Sequence, residues 1–234
     1  WLILNSPSNP TGAVYTRDEL AALAEVLLQH PSVLVLSDDI YEHLIFDGIS
    51  FHTMAQVEPR LRDRTLTMNG VSKAYAMTGW RIGFGTGPHW LIDAMEKLQG
   101  QQTSGACSIS QHAALAALAG PQDFIRESKS VFEARRNMVV QMLNDTPGLR
   151  CENPDGAFYA FTSVAALIGK TTAAGTMLSS DEDVAYALLD EAGVAVVHGS
   201  AFGLGPYIRI AYALDNASLH QACTAIKQFC KALR

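Results

Sequence analysis

The sequence predicts an α/β fold, with a mostly parallel sheet carrying helices on both faces and a small α+β region after it. Three observations carry this. Val33-Leu34-Val35-Leu36 is short and continuously apolar, as a strand covered on both faces is. Helix-start signals such as Thr16-Arg17-Asp18-Glu19 fall between such runs, giving strand, helix, strand alternation. From Ala157 onward the apolar segments become shorter and mix with polar loops.

The elements follow in order. Trp1 to Leu4 reads as a buried strand and ends in a Pro- and Asn-rich turn. A helix opens on the Thr16 capping box and runs to about His30, where Pro31 stops it. Val33–Leu36, Thr65–Met68 and Arg81–Phe84 read as strands. Helices are expected over Pro88–Leu98, Ser110–Ala119 and, at greater length, Gln122–Asn144. Residues 157–161 begin the second region, and 163–180 read as a polar loop. Ser180 caps a helix to about Ala192. Val194–Val197 and Tyr207–Ala211 read as strands, and Asn216–Leu233 as the last helix. A domain change is expected near residue 125, giving regions 1–125 and 126–234.

The net charge of -6 and the lack of a basic cluster argue against nucleic-acid binding. No apolar run has the roughly 20 residues that a bilayer span needs. Cys107, Cys151, Cys223 and Cys230 form no Cys-x-x-Cys pair and read as buried reduced thiols, so a cytoplasmic location is expected. His43, His52 and His198 have no metal-ligand spacing, so no metal is expected. Trp80 reads as core.

Chemistry concentrates in Asn69-Gly70-Val71-Ser72-Lys73-Ala74-Tyr75-Ala76-Met77-Thr78-Gly79-Trp80-Arg81. A lysine among small and apolar residues is open to desolvation, which lowers an amine pKa and frees it to form a Schiff base. Arg81 offers a planar fork suited to phosphate. An aldehyde cofactor bearing a phosphate uses both groups, and pyridoxal 5'-phosphate is that cofactor. In open α/β sheets ligands bind beyond the carboxyl ends of strands, and Asn9, Asp38 and Lys73 each fall just after one.

This run resembles the lysine motif of the class I and II aminotransferases, the fold type I pyridoxal-phosphate enzymes. Asn5-Ser6-Pro7-Ser8-Asn9-Pro10-Thr11-Gly12, Ser37-Asp38-Asp39-Ile40-Tyr41-Glu42-His43 and Tyr207-Ile208-Arg209-Ile210-Ala211-Tyr212 resemble other motifs of that family, in the same chain order. By that resemblance Lys73 holds the cofactor and later moves the substrate proton, and Asp38 pairs with the ring nitrogen. Read alone, Asp38 is also a strand-end turn residue or part of a two-carboxylate metal site. Tyr41 and Asn9 match donors to the cofactor's phenolic oxygen. Arg81 matches the phosphate arginine and Ser72 adds a hydroxyl. Gly70 stands where the family often has serine, which puts the usual phosphate serine in doubt. Arg209 matches the substrate-carboxylate arginine, and Ile208 and Ile210 alternate with it on the opposite strand face.

The resemblance implies a fragment of the fold type I architecture: residues 1–125 as the second half of a large cofactor-binding domain, 126–234 as a small C-terminal domain. The N-terminal part of the family is expected to lie outside this chain, and the chain alone is expected to lack turnover. The implied activity moves an amino group between an L-amino acid, with aspartate first, and a 2-oxo acid such as 2-oxoglutarate. The Met77–Arg81 and Gly193–Gly203 segments resemble bacterial aspartate and aromatic aminotransferases. Aromatic or broad-specificity transamination, a fold type I lyase or decarboxylase, and a regulator's effector domain remain alternatives. A homodimer is implied at full length.

Overall fold

The structure, a computed structural model, describes residues 1–234. It resolves into two compact units: Trp1–Ser8 with Ala13–Lys129, and Asn9–Gly12 with Ser130–Arg234.

The first unit contains β1 (Leu2–Asn5), α1 (Arg17–Gln29), β2 (Val35–Asp38), α2 (Met54–Val57), β3 (Thr65–Gly70), β4 (Gly83–Thr86), α3 (His89–Gln102) and α4 (Ser108–Ala119). The strands form one sheet in the order β1-β2-β3-β4. The first three are parallel, with Ile3 opposite Leu36 and Leu36 opposite Leu66. β4 joins β3 antiparallel.

α1 starts where the sequence says it should. Thr16 accepts from the Glu19 amide, and Glu19 accepts from the Thr16 amide at 2.8 Å. Leu20, Ala24 and Leu27, spaced along one helix face, pack with Leu4, Val35, Met54 and Leu61. Arg64 meets the helix's far end, donating to the carbonyls of Leu27 (2.6 Å), His30 (2.9 Å) and Val33 (2.7 Å). These are the acceptors that a helix end leaves open. With Val33 so engaged, the strand begins at Val35 and not at Val33.

The 77–84 segment departs from the sequence reading. Arg81 closes a 3-10 turn (Thr78–Trp80) in the left-handed conformation, at φ 51 and ψ 49. Extended backbone cannot pass through such a residue, so the strand starts at Gly83. The same turn lifts Trp80 out of the core, leaving it 44% exposed. Cys107 is also exposed, whereas Cys151, Cys223 and Cys230 are buried and all are free thiols.

The chain changes units within α5 (Asp123–Asn144). The second unit then adds β5 (Arg150–Cys151), β6 (Tyr159–Ser163), α6 (Asp181–Ala192), β7 (Val197–His198), β8 (Tyr207–Ala211) and α7 (Asn216–Ala232). Its sheet is antiparallel in the order β5-β6-β8-β7. Ser180 caps α6 by accepting from the Asp183 amide. Gly193 ends it at φ 66, and the Val194 amide turns back to the Leu188 carbonyl. That closure consumes Val194, which explains why the expected strand shortens to Val197–His198. Leu219, Cys223, Ile226 and Cys230 form the buried stripe of α7, as the spacing of the two cysteines predicts. The 163–180 segment is held by a 3-10 turn at Ala165–Leu167 and a bridge between Thr171 and Met177.

Gly12 belongs to the second unit, where its carbonyl accepts from the Gly156 amide at 2.8 Å. It has φ +72, and a Cβ there would lie 2.5 Å from the Pro154 Cβ. Gly48 has the same φ with nothing within 4 Å. Gly48→Ala should therefore cost about 1 kcal/mol of backbone strain, and Gly12→Ala about 3 kcal/mol because a steric clash adds to it. Urea unfolding of the two variants measures the difference, and equal losses would show that Pro154 yields.

Candidate active site

In the first unit the site grows from the carboxyl ends of β2 and β3. Asp38 is the last residue of β2. Alternation along the strand sends Asp39 the other way, to the side of Ser37. The Asp39 carboxylate accepts from the Ser37 hydroxyl at 2.7 Å and is only 4% exposed. Asp38 accepts from the Ile40 amide at 3.3 Å and lines a concavity of about 320 Å³ with Asn69, Ser72, Arg81 and Gly83. Tyr41 follows in a turn and is buried, and Lys73 Nζ lies 5.8 Å from its ring centroid. Lys73 itself is half-buried in the turn after β3.

Burial pushes the Asp38 carboxyl above its ordinary value, while the Ile40 amide and the nearby Lys73 charge pull it back. Burial raises Asp39 further, from 3.8 to about 6, against the bonds from Ser37 and Thr53. Desolvation outweighs the compensating contacts at both acids. A protonated ring nitrogen beside Asp38 would supply the missing positive charge.

The anion-binding end has a suitable donor set. Arg81 is exposed, and its Nη1 donates to the Thr78 carbonyl at 2.9 Å. Ser72 lines the same concavity. Together they offer a cation and a hydroxyl to a phosphate, so the residues of this unit fit pyridoxal 5'-phosphate. Gly70 could not carry a serine unchanged, because a Cβ would meet Ile40 Cδ1 at 3.1 Å and Gly83 Cα at 3.2 Å.

The second unit holds the other two residues singled out in the sequence. Arg209 is central in β8, paired with Phe161 of β6 and Val197 of β7. Ile208 and Ile210 are buried on the opposite face. Arg209 Nη1 donates to Asn9 Oδ1 at 2.8 Å. Its Nε is buried with no hydrogen-bond partner. Tyr159 and Phe202 lie against the guanidinium, with ring centroids 4.7 Å and 5.0 Å away.

The structure thus brings Asp38, Tyr41, Ser72, Lys73 and Arg81 together in one unit and Asn9 and Arg209 together in the other. Sequence reasoning missed Tyr159 and Phe202. The aromatic run Phe158-Tyr159-Ala160-Phe161 was the available signal for the first. The pairing of β6 with β8 that aims Tyr159 at Arg209 is not written locally.

The family model for aminotransferase class I and II matches residues 1–226. The chain is 59% identical over 234 residues to a probable aspartate/prephenate aminotransferase of Rhizobium leguminosarum bv. phaseoli, covering 100% of the chain and 58% of that protein. It is 58% identical to an aspartate/prephenate aminotransferase of Cereibacter sphaeroides, again over 100% of the chain and 58% of the relative. The crystal structure of the aspartate aminotransferase from Rhizobium meliloti superposes with a TM-score of 0.96 at 52% identity, covering 100% of this chain and 58% of that one. The chain therefore spans 58% of the length of these curated relatives.

Asp39 yields a pH prediction. A carboxyl whose folded-state pKa lies above its unfolded value binds its proton more tightly in the fold. Its contribution therefore favours folding at low pH and is lost as pH rises from 3.8 to about 6. Asp39→Asn should raise stability above pH 6 relative to the parent, with the advantage shrinking toward pH 4. Urea unfolding across that range checks it, and an advantage constant with pH would assign the effect to something other than the titration.

Proposed function

The chain belongs to the class I and II aminotransferases, and from that premise we propose that the whole protein is a pyridoxal-phosphate enzyme acting on aspartate and 2-oxoglutarate. The observation that carries this is the convergence of Asp38, Tyr41 and Lys73 at the carboxyl ends of adjacent parallel strands. When bound, the cofactor supplies an electron-withdrawing ring that stabilises negative charge at the carbon bearing the amino group.

The chain's own residues do the rest. Asp38, raised by burial, is short of positive charge and fixes a protonated ring nitrogen. Tyr41 donates to the phenolic oxygen. Arg81 and Ser72 hold the phosphate as a charge and a hydroxyl donor. Lys73 carries the cofactor and then, as a free amine, moves a proton at the substrate's α-carbon. Arg209 holds the α-carboxylate, and a guanidinium fork orients the substrate as well as binding it. The names of the relatives, aspartate/prephenate aminotransferase, support a second acceptor, an oxo acid that also carries a remote carboxylate. A homodimer in the cytoplasm belongs to the same proposal. No helix of the chain is long and apolar enough to cross a membrane.

Two experiments test the reading. In the whole protein, Lys73→Ala should abolish both aspartate:2-oxoglutarate turnover and covalent retention of the cofactor after borohydride treatment. Retention through another residue would overturn the role of Lys73. Arg209→Leu should weaken the amino acid and the oxo acid alike, by ~2–5 kcal/mol in each half-reaction. A change confined to side-chain preference would make Arg209 a specificity residue instead of the α-carboxylate clamp.

A further inference from the structure

One carboxylate at the start of α6 is turned away from the helix end and onto a neighbouring segment. Asp181, the first residue of α6, is 4% exposed. Its Oδ2 accepts from the Ser200 amide at 2.8 Å and the Tyr207 amide at 3.4 Å. Its Oδ1 accepts from the Ser200 hydroxyl at 2.9 Å. The Ser200 hydroxyl is also 2.7 Å from His198 Nδ1. These bonds gather both ends of the 200–207 segment onto a single side chain. Packing there is tight: a Cβ on Gly205 would sit 3.1 Å from Asp181 Oδ2. The segment also closes on itself, with the Gly203 amide donating to Ser200 and the Leu204 amide to Gly199.

The segment carries Phe202, whose ring centroid is 5.0 Å from the Arg209 guanidinium and 6.4 Å, edge-on, from the Phe161 ring. Tyr207, at the segment's other end, stacks on Phe161 at 4.8 Å. Phe161 is the register partner of Arg209. Asp181 therefore sets the place of Phe202, and Phe202 limits where the Arg209 fork can swing. We propose that Asp181 is a positioning residue for the carboxylate-binding arginine, acting through Phe202. The proposal rests on the reading of Arg209 as the substrate-carboxylate clamp. A fork held between a ring and Asn9 meets a carboxylate without first losing rotamer freedom, which favours binding more than the chemical step.

The test uses the cofactor-loaded whole protein with Asp181→Asn, Phe202→Leu, the double variant and Arg209→Leu. Calorimetry with succinate, an unreactive dicarboxylate, reads binding directly. Asp181→Asn and Phe202→Leu should each weaken succinate and raise KM for aspartate and 2-oxoglutarate by about fivefold, the scale of a lost cation–π contact at a partly exposed site. The kcat should change by less than about threefold. Because both residues act through one contact, the double variant should be no weaker than about the worse single one. Losses that multiply in the double variant would overturn the proposal, as would a loss confined to kcat. If Asp181→Asn does not fold, Ser200→Ala takes its place in the same cycle with a smaller loss of the same kind. Arg209→Leu separates the two readings. If it loses succinate while Phe202→Leu keeps it, the positioning proposal alone fails. If Arg209→Leu keeps succinate, the carboxylate reading fails and takes this proposal with it.

Discussion

Parallel pairing of β1, β2 and β3 is the constraint on which the first unit's site depends. In a parallel ladder all strands end at the same edge, so Asn5, Asp38 and Met68 stand in one row. The candidate site side chains of the unit then come from the last residue of β2 and from the turns that leave that edge. Those turns are anchored and do not hang free. Tyr41, Leu44, Ile45 and Phe46 are buried after β2, and Val71 and Ala74 after β3. Lys73 lies between two of those buried anchors, so its position follows from packing as much as from sequence.

That edge carries an unbalanced charge. Two successive acids leave β2 on opposite sides and meet different surroundings. Asp39 is met by the Ser37 hydroxyl, with Thr53 beyond it. Asp38 is met by one amide and by the field of Lys73. Neither set of contacts offsets desolvation, and both carboxyls rise. For Asp39 this is a cost that the fold carries. For Asp38 the same shortfall faces a concavity, where an incoming cation removes it. Strand alternation alone decides which acid takes which role.

Legibility in the sequence followed the range of the interaction. The Thr16 capping box, the Ser180 cap, the α7 stripe and the Asp38-to-Tyr41 and Ser72-Lys73 segments are local patterns, and each is visible within a few residues. The strand face of Arg209 was readable from its alternation with Ile208 and Ile210, and its expected role only from the family motif over Tyr207–Tyr212. Its bond to Asn9 joins residues 200 apart, and no local pattern announces it. Phe202 was invisible for the same reason. It reaches Arg209 only because Asp181 pins the segment that carries it. Trp80 and Arg81 were misplaced on other grounds. Their composition reads as strand or core, but one left-handed residue overrides that preference.

Gly70 shows how such a constraint reaches the chemistry. It pairs with Gly83 across the antiparallel β3–β4 junction, so two residues without side chains face each other. A Cβ at Gly70 would press on Ile40, on Gly83 and on the Ile82 carbonyl, all within 3.3 Å. Ile40 lines the same concavity as Asp38. A side chain at this position would therefore require Ile40, Gly83 and the Ile82 carbonyl to give by a few tenths of an ångström. The chain keeps the close pairing and carries a serine two residues later, at Ser72, which lines the concavity outside the sheet. In the proposed function the phosphate is in this way left to Ser72 and Arg81, beside the same backbone approach that holds β4 against β3.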